Sequence, residues 1–452
     1  MLPSFLRTPL PSNWSPLPAS RPASRPAPRP APVLAPLLAL AFVLTSCGGD
    51  TVHAGLAEGD RPLDIAVEDV YRVGSIDGNA WDSFTRVSSM AFGDDSRLHI
   101  LDPAQRRIHV VSETGEHLRS FGTRGEGPGE FRSPVGVQVL ADDRIVVADN
   151  GHQAFLVFSS EGVFLASHPY DAGGSMPGAR LQRQGDDAVI AHGQGMRLEA
   201  VPGGGPPALP TTTPVDRWRL APGDVVVRDR LLEAWRPERD PPRQQAGSGA
   251  GGVMVMRSVT LALEPAVHVA ALPDGRLALA DSSAYRIRIF GPGGHAEGPP
   301  RVVGRDIAPV PVGPAEEEAE RERRLAQLES GGGPQIQIAT SGPGGGGQQE
   351  VPQEQIRDML RAQMAAMSFW HEIPVITRLA ADAEGRLWVE RSAGIGEDGP
   401  VDLLEADGTY LGSIAPGNLR TPLAFGPGGV AAWVELDELE VPFVRVGRIR
   451  IG

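Results

Sequence analysis

Residues Phe121 to Phe131 read FGTRGEGPGEF, four glycines and a proline in eleven positions. A phosphate-cradling loop has a similar look, but the details argue against one. Gly125 and Gly127 lack the third glycine of such a motif at position 130, which is Glu130, and no Lys-Ser/Thr follows. The chain then runs into the alternating stretch VGVQVL (Val135 to Leu140), whereas a phosphate cradle needs a helix N-terminus. The glycines are better read as a tight reversal from the outer edge of one sheet to the inner strand of the next, with Phe121 and Phe131 buried between sheets. On this reading Gly127→Val costs folding rather than activity alone.

Working outward from this stretch, one phrase recurs: an acidic or glycine turn, a short apolar strand, then an acid. The copies are RLHILD (Arg97 to Asp102), RIVVAD (Arg144 to Asp149), RLALAD (Arg276 to Asp281), RLWVE (Arg386 to Glu390) and VAAWVE (Val430 to Glu435), with AVIAH (Ala188 to His192) a weaker one. A second hairpin follows several of them, as in RRIHVVSETGEHL (Arg106 to Leu118), QAFLVFSSEGVFL (Gln153 to Leu165) and YRIRIFGPGG (Tyr285 to Gly294). Two hairpins per repeat make a four-stranded unit of about 45 residues, the size of a propeller blade. The expected fold is therefore all-β, a six-bladed β-propeller. A seventh blade would have to lie near GDVVVRD (Gly223 to Asp229).

Two stretches between copies are too long for the repeat, and they contain Pro/Gly/Arg-rich tracts, about 202–257 and 303–372, which read as insertions in a propeller spanning 67–452. A closed ring leaves no free sheet edge. VEDVYRVGSI (Val67 to Ile76) alternates but has no blade of its own, so it is expected to pair with FVRVGRIRI (Phe443 to Ile451) and complete the sixth blade. In the second tract, PAEEEAERERRLAQLE predicts a helix from Pro314, with acids early, arginines late, and Glu317/Arg321 and Glu320/Arg324 at i,i+4. A second helix over about Pro352 to Phe369 puts Ile356, Met359, Leu360, Met364 and Met367 on one face. That stripe either packs on the propeller or, through Met359, Met364 and Met367, offers an adaptable binding surface.

All 42 basic residues are arginine, which removes lysine-based chemistry such as a Schiff base or a P-loop. Beyond residue 46, 38 arginines face 56 acids, a net of −18 that disfavours nucleic acid and anionic membrane surfaces. The first 46 residues read as a signal peptide with a Pro/Arg-rich lead. Ala31 to Ser46 is an apolar run too short for a comfortable span, and it ends in LTSC at Leu44 to Cys47. That resembles a bacterial lipobox, which makes Cys47, the single cysteine, the expected lipidation site and 47–66 a lipidated linker. Gly48 lacks the aspartate linked to inner-membrane retention, so the expectation is an outer-membrane lipoprotein, periplasmic or surface-facing.

The phrases FGTRGEGPGEFRSPVGVQVLADDRIVVADN and YRIRIF resemble NHL-type six-bladed propellers, and in particular the bacterial lipoprotein-like "6-bladed beta-propeller" proteins. The resemblance covers residues 86–165, 266–294 and 374–413. It implies architecture more than mechanism. Related propellers include calcium lactonases, gluconolactonases and a zinc-dependent amidating lyase, which use acids, Asn or His at the channel mouth. The corresponding candidates here are Asp149, Asn150, His152 and His192 for a metal, with Asp102, Asp281 and Glu390 at equivalent strand ends. The competing reading is structural: an acid repeated blade after blade accepts backbone N–H groups of the next turn. His99, His109 and His268 fall on strands by alternation alone.

No Ser/His/Asp order, zinc-protease spacing or dinucleotide motif is present, and catalytic residues are accordingly none. The expected function is a binding or scaffold module of the envelope for a protein, peptide or glycan, with no cofactor. The alternative is a lactonase-like hydrolase or lyase using calcium or zinc at the channel mouth.

Overall fold

The computed structural model describes residues 59–79, 81–170, 176–194, 199–201, 205–220, 226–239, 243–246, 254–257, 261–329, 361 and 364–452. Cys47 and the stretch expected to be a signal peptide, most of the expected second helix and Met359 lie outside them. Six antiparallel blades follow one another, five of four strands and the third of five, with the short Met176–Pro177 strand added. The first is built from Ser89–Phe92, Leu98–Asp102, Arg107–Val111 and His117–Phe121. The second uses Pro134–Val139, Ile145–Asp149, Ala154–Phe158 and Phe164–Pro169. The fourth spans His268–Ala271 to Arg301–Gly304 and the fifth Ile376–Ala381 to Tyr410–Ile414.

The middle strands of each blade are sandwiched between neighbouring blades, so both of their faces are apolar. Ile145–Asp149 and Ala154–Phe158 are buried at every position, whereas the outermost Phe164–Pro169 alternates with solvent. Six apolar clusters result, one at each junction between blades. The cluster between blades one and two holds Leu101, Ile108, Phe131, Val147 and Phe158.

The ring closes as the alternation predicts. The sixth blade takes Ala424–Phe425, Val430–Leu436 and Pro442–Ile451 from the C-terminus and Ile65–Val73 from the N-terminal side. Ile65 stands opposite Ile451, and Val73 opposite Val444. The Arg72 guanidinium lies 3.4 Å from the centre of the Phe443 ring, adding a cation–π contact to the seam.

The third blade departs from expectation. Its inner strands are Gln182–Gln184 and Ala188–Gln194, and its outer pair, Thr212–Leu220 and Val226–Trp235, comes from within the 202–257 tract. Val226 to Asp229 of GDVVVRD therefore begin the outermost strand of blade three and start no seventh blade; Gly223 to Val225 lie outside the described residues. The pair escaped notice because its cross-strand signal is carried by charge. Asp216 meets Arg228 and Arg230, and Asp229 meets Arg217 and Arg219.

In the 303–372 tract the helix α1 (Pro314–Glu329) forms as predicted. Glu317 accepts from Arg321 at 2.9 Å and Glu320 from Arg324 at 2.6 Å. The returning chain is pinned at Ser368–Phe369, which pairs with Leu261–Ala262, and at Trp370, whose indole N–H donates to Ser283 Oγ at 2.9 Å.

The opening stretch is a junction. Phe131 is fully buried, and its ring and that of Phe121 both pack on Phe158, at 5.7 and 5.0 Å. Gly122 is the demanding glycine, at φ +88° with a virtual Cβ only 2.1 Å from the Phe131 ring. Gly127, expected to be critical, would place its Cβ no closer than 3.1 Å to the Glu130 carboxylate.

Candidate ligand site in the channel

Antiparallel pairing sets the end of each second strand beside the start of the innermost strand, so the repeated acids all lie at one end of the ring, here the entry mouth. They are turned into the blades. Asp149 is fully buried, with Oδ1 accepting from the N–H groups of Ser133, Gly151 and His152 (2.9, 2.9 and 3.1 Å) and Oδ2 from that of Arg132 (2.8 Å). Asp102 likewise accepts from Thr85, Ala104 and Gln105 at 2.7–3.0 Å. Asp281 accepts from the Trp235 N–H at 2.6 Å and from the Arg288 side chain. Asp102 and Asp149 thus staple the turn after their strand to the chain entering the blade, while Asp281 ties its strand to the end of blade three.

The other sequence candidates are also placed. Asn150 Oδ1 accepts from the Tyr170 hydroxyl at 2.6 Å, and its amide donates to Pro177 O at 3.3 Å. His152 Nδ1 lies 3.2 Å from Asp149 Oδ2. His192 belongs to the next blade. Among the described residues no three His, Cys, Asp or Glu side chains gather into a group able to hold a metal ion. Met367 is buried and Met364 half-buried.

Between the innermost strands of all six blades is a channel cavity of about 280 Å³, near the ~300 Å³ lower end of small-molecule sites. Side chains tie the strands together around it. Ser89 Oγ donates to Ala179 O at 3.0 Å, and Gln182 bridges to Val269 O and the Ala271 N–H at 2.8 and 2.7 Å. Toward the far end Arg183 pairs with Asp94 at 2.9 Å.

The entry mouth is cationic. Arg180 and Arg378 line the cavity, and neither has a carboxylate within ion-pair distance among the described residues. Arg378 donates through Nη2 to Pro422 O at 2.7 Å, while its Nε is buried without a partner. Arg180 is exposed at the mouth and Arg378 half-buried. Burial pushes the Arg378 guanidinium down to about 10, and the neighbouring Arg180 adds repulsion against the weak pull of Glu390. His192 is pushed down to about 4 by burial and by Arg180 and Arg236; His268 goes to about 3 through burial, Arg180 and His192. Both imidazoles are thus neutral at pH 7. Glu390, whose Oε2 is 3.4 Å from the Thr421 N–H, is the acid that acts on both Arg180 and Arg378, while Arg236 feels Glu264.

Sequence reasoning missed Arg180, Arg236 and Arg378. In a chain with 42 arginines nothing local distinguishes the few that point inward.

Residues 83–172, the first two blades, match the model of the "6-bladed beta-propeller" family. Among solved structures, the chain is similar to a Bacteroides vulgatus protein from a family of unknown function (11% identity, 86% of this chain and 98% of that one, TM-score 0.48). It is also similar to a gluconolactonase from Xanthomonas campestris (16%, 88% and 99%, 0.34) and to virginiamycin B lyase from Staphylococcus aureus (9%, 85% and 99%, 0.36). No statement about this chain's chemistry follows from likeness at that level. No curated protein matches the chain.

Proposed function

We propose that this propeller is a binding module of the bacterial envelope, tethered by a lipid on Cys47, that holds a protein, peptide or glycan ligand at the entry mouth without transforming it. One observation carries the reading: the acids Asp102 and Asp149 at that mouth are engaged by the blades' own backbone, while Arg180 and Arg378 line the channel there. Such a set donates hydrogen bonds and holds charge. A calcium or zinc centre needs three or more converging oxygen or nitrogen donors, and the described residues do not fit one. The tether rests on the LTSC run at Leu44 to Cys47; no helix among the described residues is long and apolar enough to cross a membrane.

The test is hydrogen exchange on the mature protein, alone and with solubilised envelope fractions. Protection concentrated at 176–184 and 376–380 is expected, and protection confined to the outer strands would overturn the reading. So would lactone hydrolysis that rises with added calcium or zinc and is lost in a stably folded Asp149→Asn protein.

A further inference from the structure

Resting on that binding reading, we infer that the entry mouth is an oxyanion receptor, in which Arg180 and Arg378, backed by Arg236, take a carboxylate or phosphate group carried by the ligand. The three arginines come from separate parts of the fold. Arg180 precedes the innermost strand of blade three, Arg236 follows its outermost strand, and Arg378 lies on the innermost strand of blade five. Only the closed ring brings them to one place.

A buried cation without a counterion is costly, and proteins ordinarily pair it. Pairing is the rule elsewhere in this chain: Arg305, Arg391, Arg217 and Arg228 each hold a carboxylate at 2.5–2.9 Å. At the mouth the arrangement is reversed, with guanidiniums that repel one another and a buried Arg378 Nε lacking an acceptor. An oxyanion in the channel, which Arg180 and Arg378 both line, would offset the repulsion. Planar guanidinium forks suit carboxylate and phosphate oxygens, and the enclosing protein weakens screening. His192 is neutral there, so its ring N–H can add a neutral donor, whereas His268 is bonded to the Ile376 backbone. Chain-wide negative charge would repel such a ligand, so selection falls to the local site.

The experiment is calorimetric titration of the mature protein at fixed ionic strength with galacturonate, inorganic phosphate and neutral galactose. Saturable binding of galacturonate or phosphate, but not galactose, is expected, with Kd raised at least tenfold in Arg180→Gln and Arg378→Gln. Arg97→Gln, which removes an exposed arginine paired with Asp95, should bind as the unaltered chain does. Melting curves establish that each variant is folded. Galacturonate alone would assign a carboxylate, and phosphate alone a phosphate ester; either supports the site. Equal anion affinity in the arginine variants overturns it. Absence of anion binding, with envelope ligand still protecting 176–184, overturns the oxyanion assignment while the binding reading stands. Absence of both overturns the binding reading itself.

Discussion

Arg305 and Asp402 meet at 2.7 Å where blades four and five join, with 4% and 0% of their side chains exposed. Arg391 Nε lies 3.2 Å from the same carboxylate, and Ser413 Oγ donates to it at 2.6 Å. Both arginines also reach Asp60, at 2.8 and 2.6 Å, and so hold the segment that leads into the closing strand Ile65–Val73. Breaking a buried pair leaves an uncompensated charge worth about 3–5 kcal/mol. Asp402→Ala should lose that much in urea denaturation, with faster amide exchange at 61–65; a loss below ~1 kcal/mol would show that the clamp is not structural.

Asp149→Ala tests the staple. Four backbone N–H groups lose their acceptor, and a loss on the order of 3 kcal/mol or more is expected, since each buried unsatisfied donor costs about 1–3 kcal/mol. Asp149→Asn keeps one carbonyl oxygen and should lose less. A cooperative urea transition unchanged in both variants would contradict this role.

The glycines of FGTRGEGPGEF separate by conformation. Gly122→Ala combines a left-handed φ with a clash on Phe131 and should cost about 2–4 kcal/mol. Gly127→Ala meets only the Glu130 side chain, and its midpoint should shift by less than ~1 kcal/mol. Similar losses at both positions would contradict the assignment.

Acid should weaken the fold well before its carboxylates titrate. Burial pushes His99, His109 and His192 down to about 4 and His268 to about 3. Unfolded, each takes a proton near pH 6.5, so the unfolded chain gains protons first as pH falls. Their contribution is complete above about 6.5 and is lost as pH drops toward 4. The melting temperature should decline across that window, less steeply in His99→Gln; a flat profile from pH 7 to 4.5 would contradict the burial.

Repetition made the architecture legible. The acid-ended strands such as RIVVAD revealed the blades, and the alternation of VEDVYRVGSI revealed the closing strand, because a strand sandwiched between neighbours must be apolar on both faces. Blade three's outer pair stayed hidden because Asp216, Arg217, Arg228 and Asp229 satisfy one another across strands, and such a pair reads as a polar loop. The site was less legible. The acids Asp102 and Asp149 belong to the scaffold, while Arg180 and Arg378 acquire meaning only once the ring closes and sets both on one channel with no carboxylate at ion-pair distance among the described residues.

Stability of the ligand-free protein tests that last claim most directly. Arg180→Gln removes the charge that disfavours the Arg378 guanidinium and keeps much of its length, so the variant should melt above the unaltered protein at low ionic strength, with the gain shrinking as salt is added. A lower melting temperature at every salt concentration would mean that Arg180 is a structural partner, and the account of the mouth as a site held ready for an anion would be wrong.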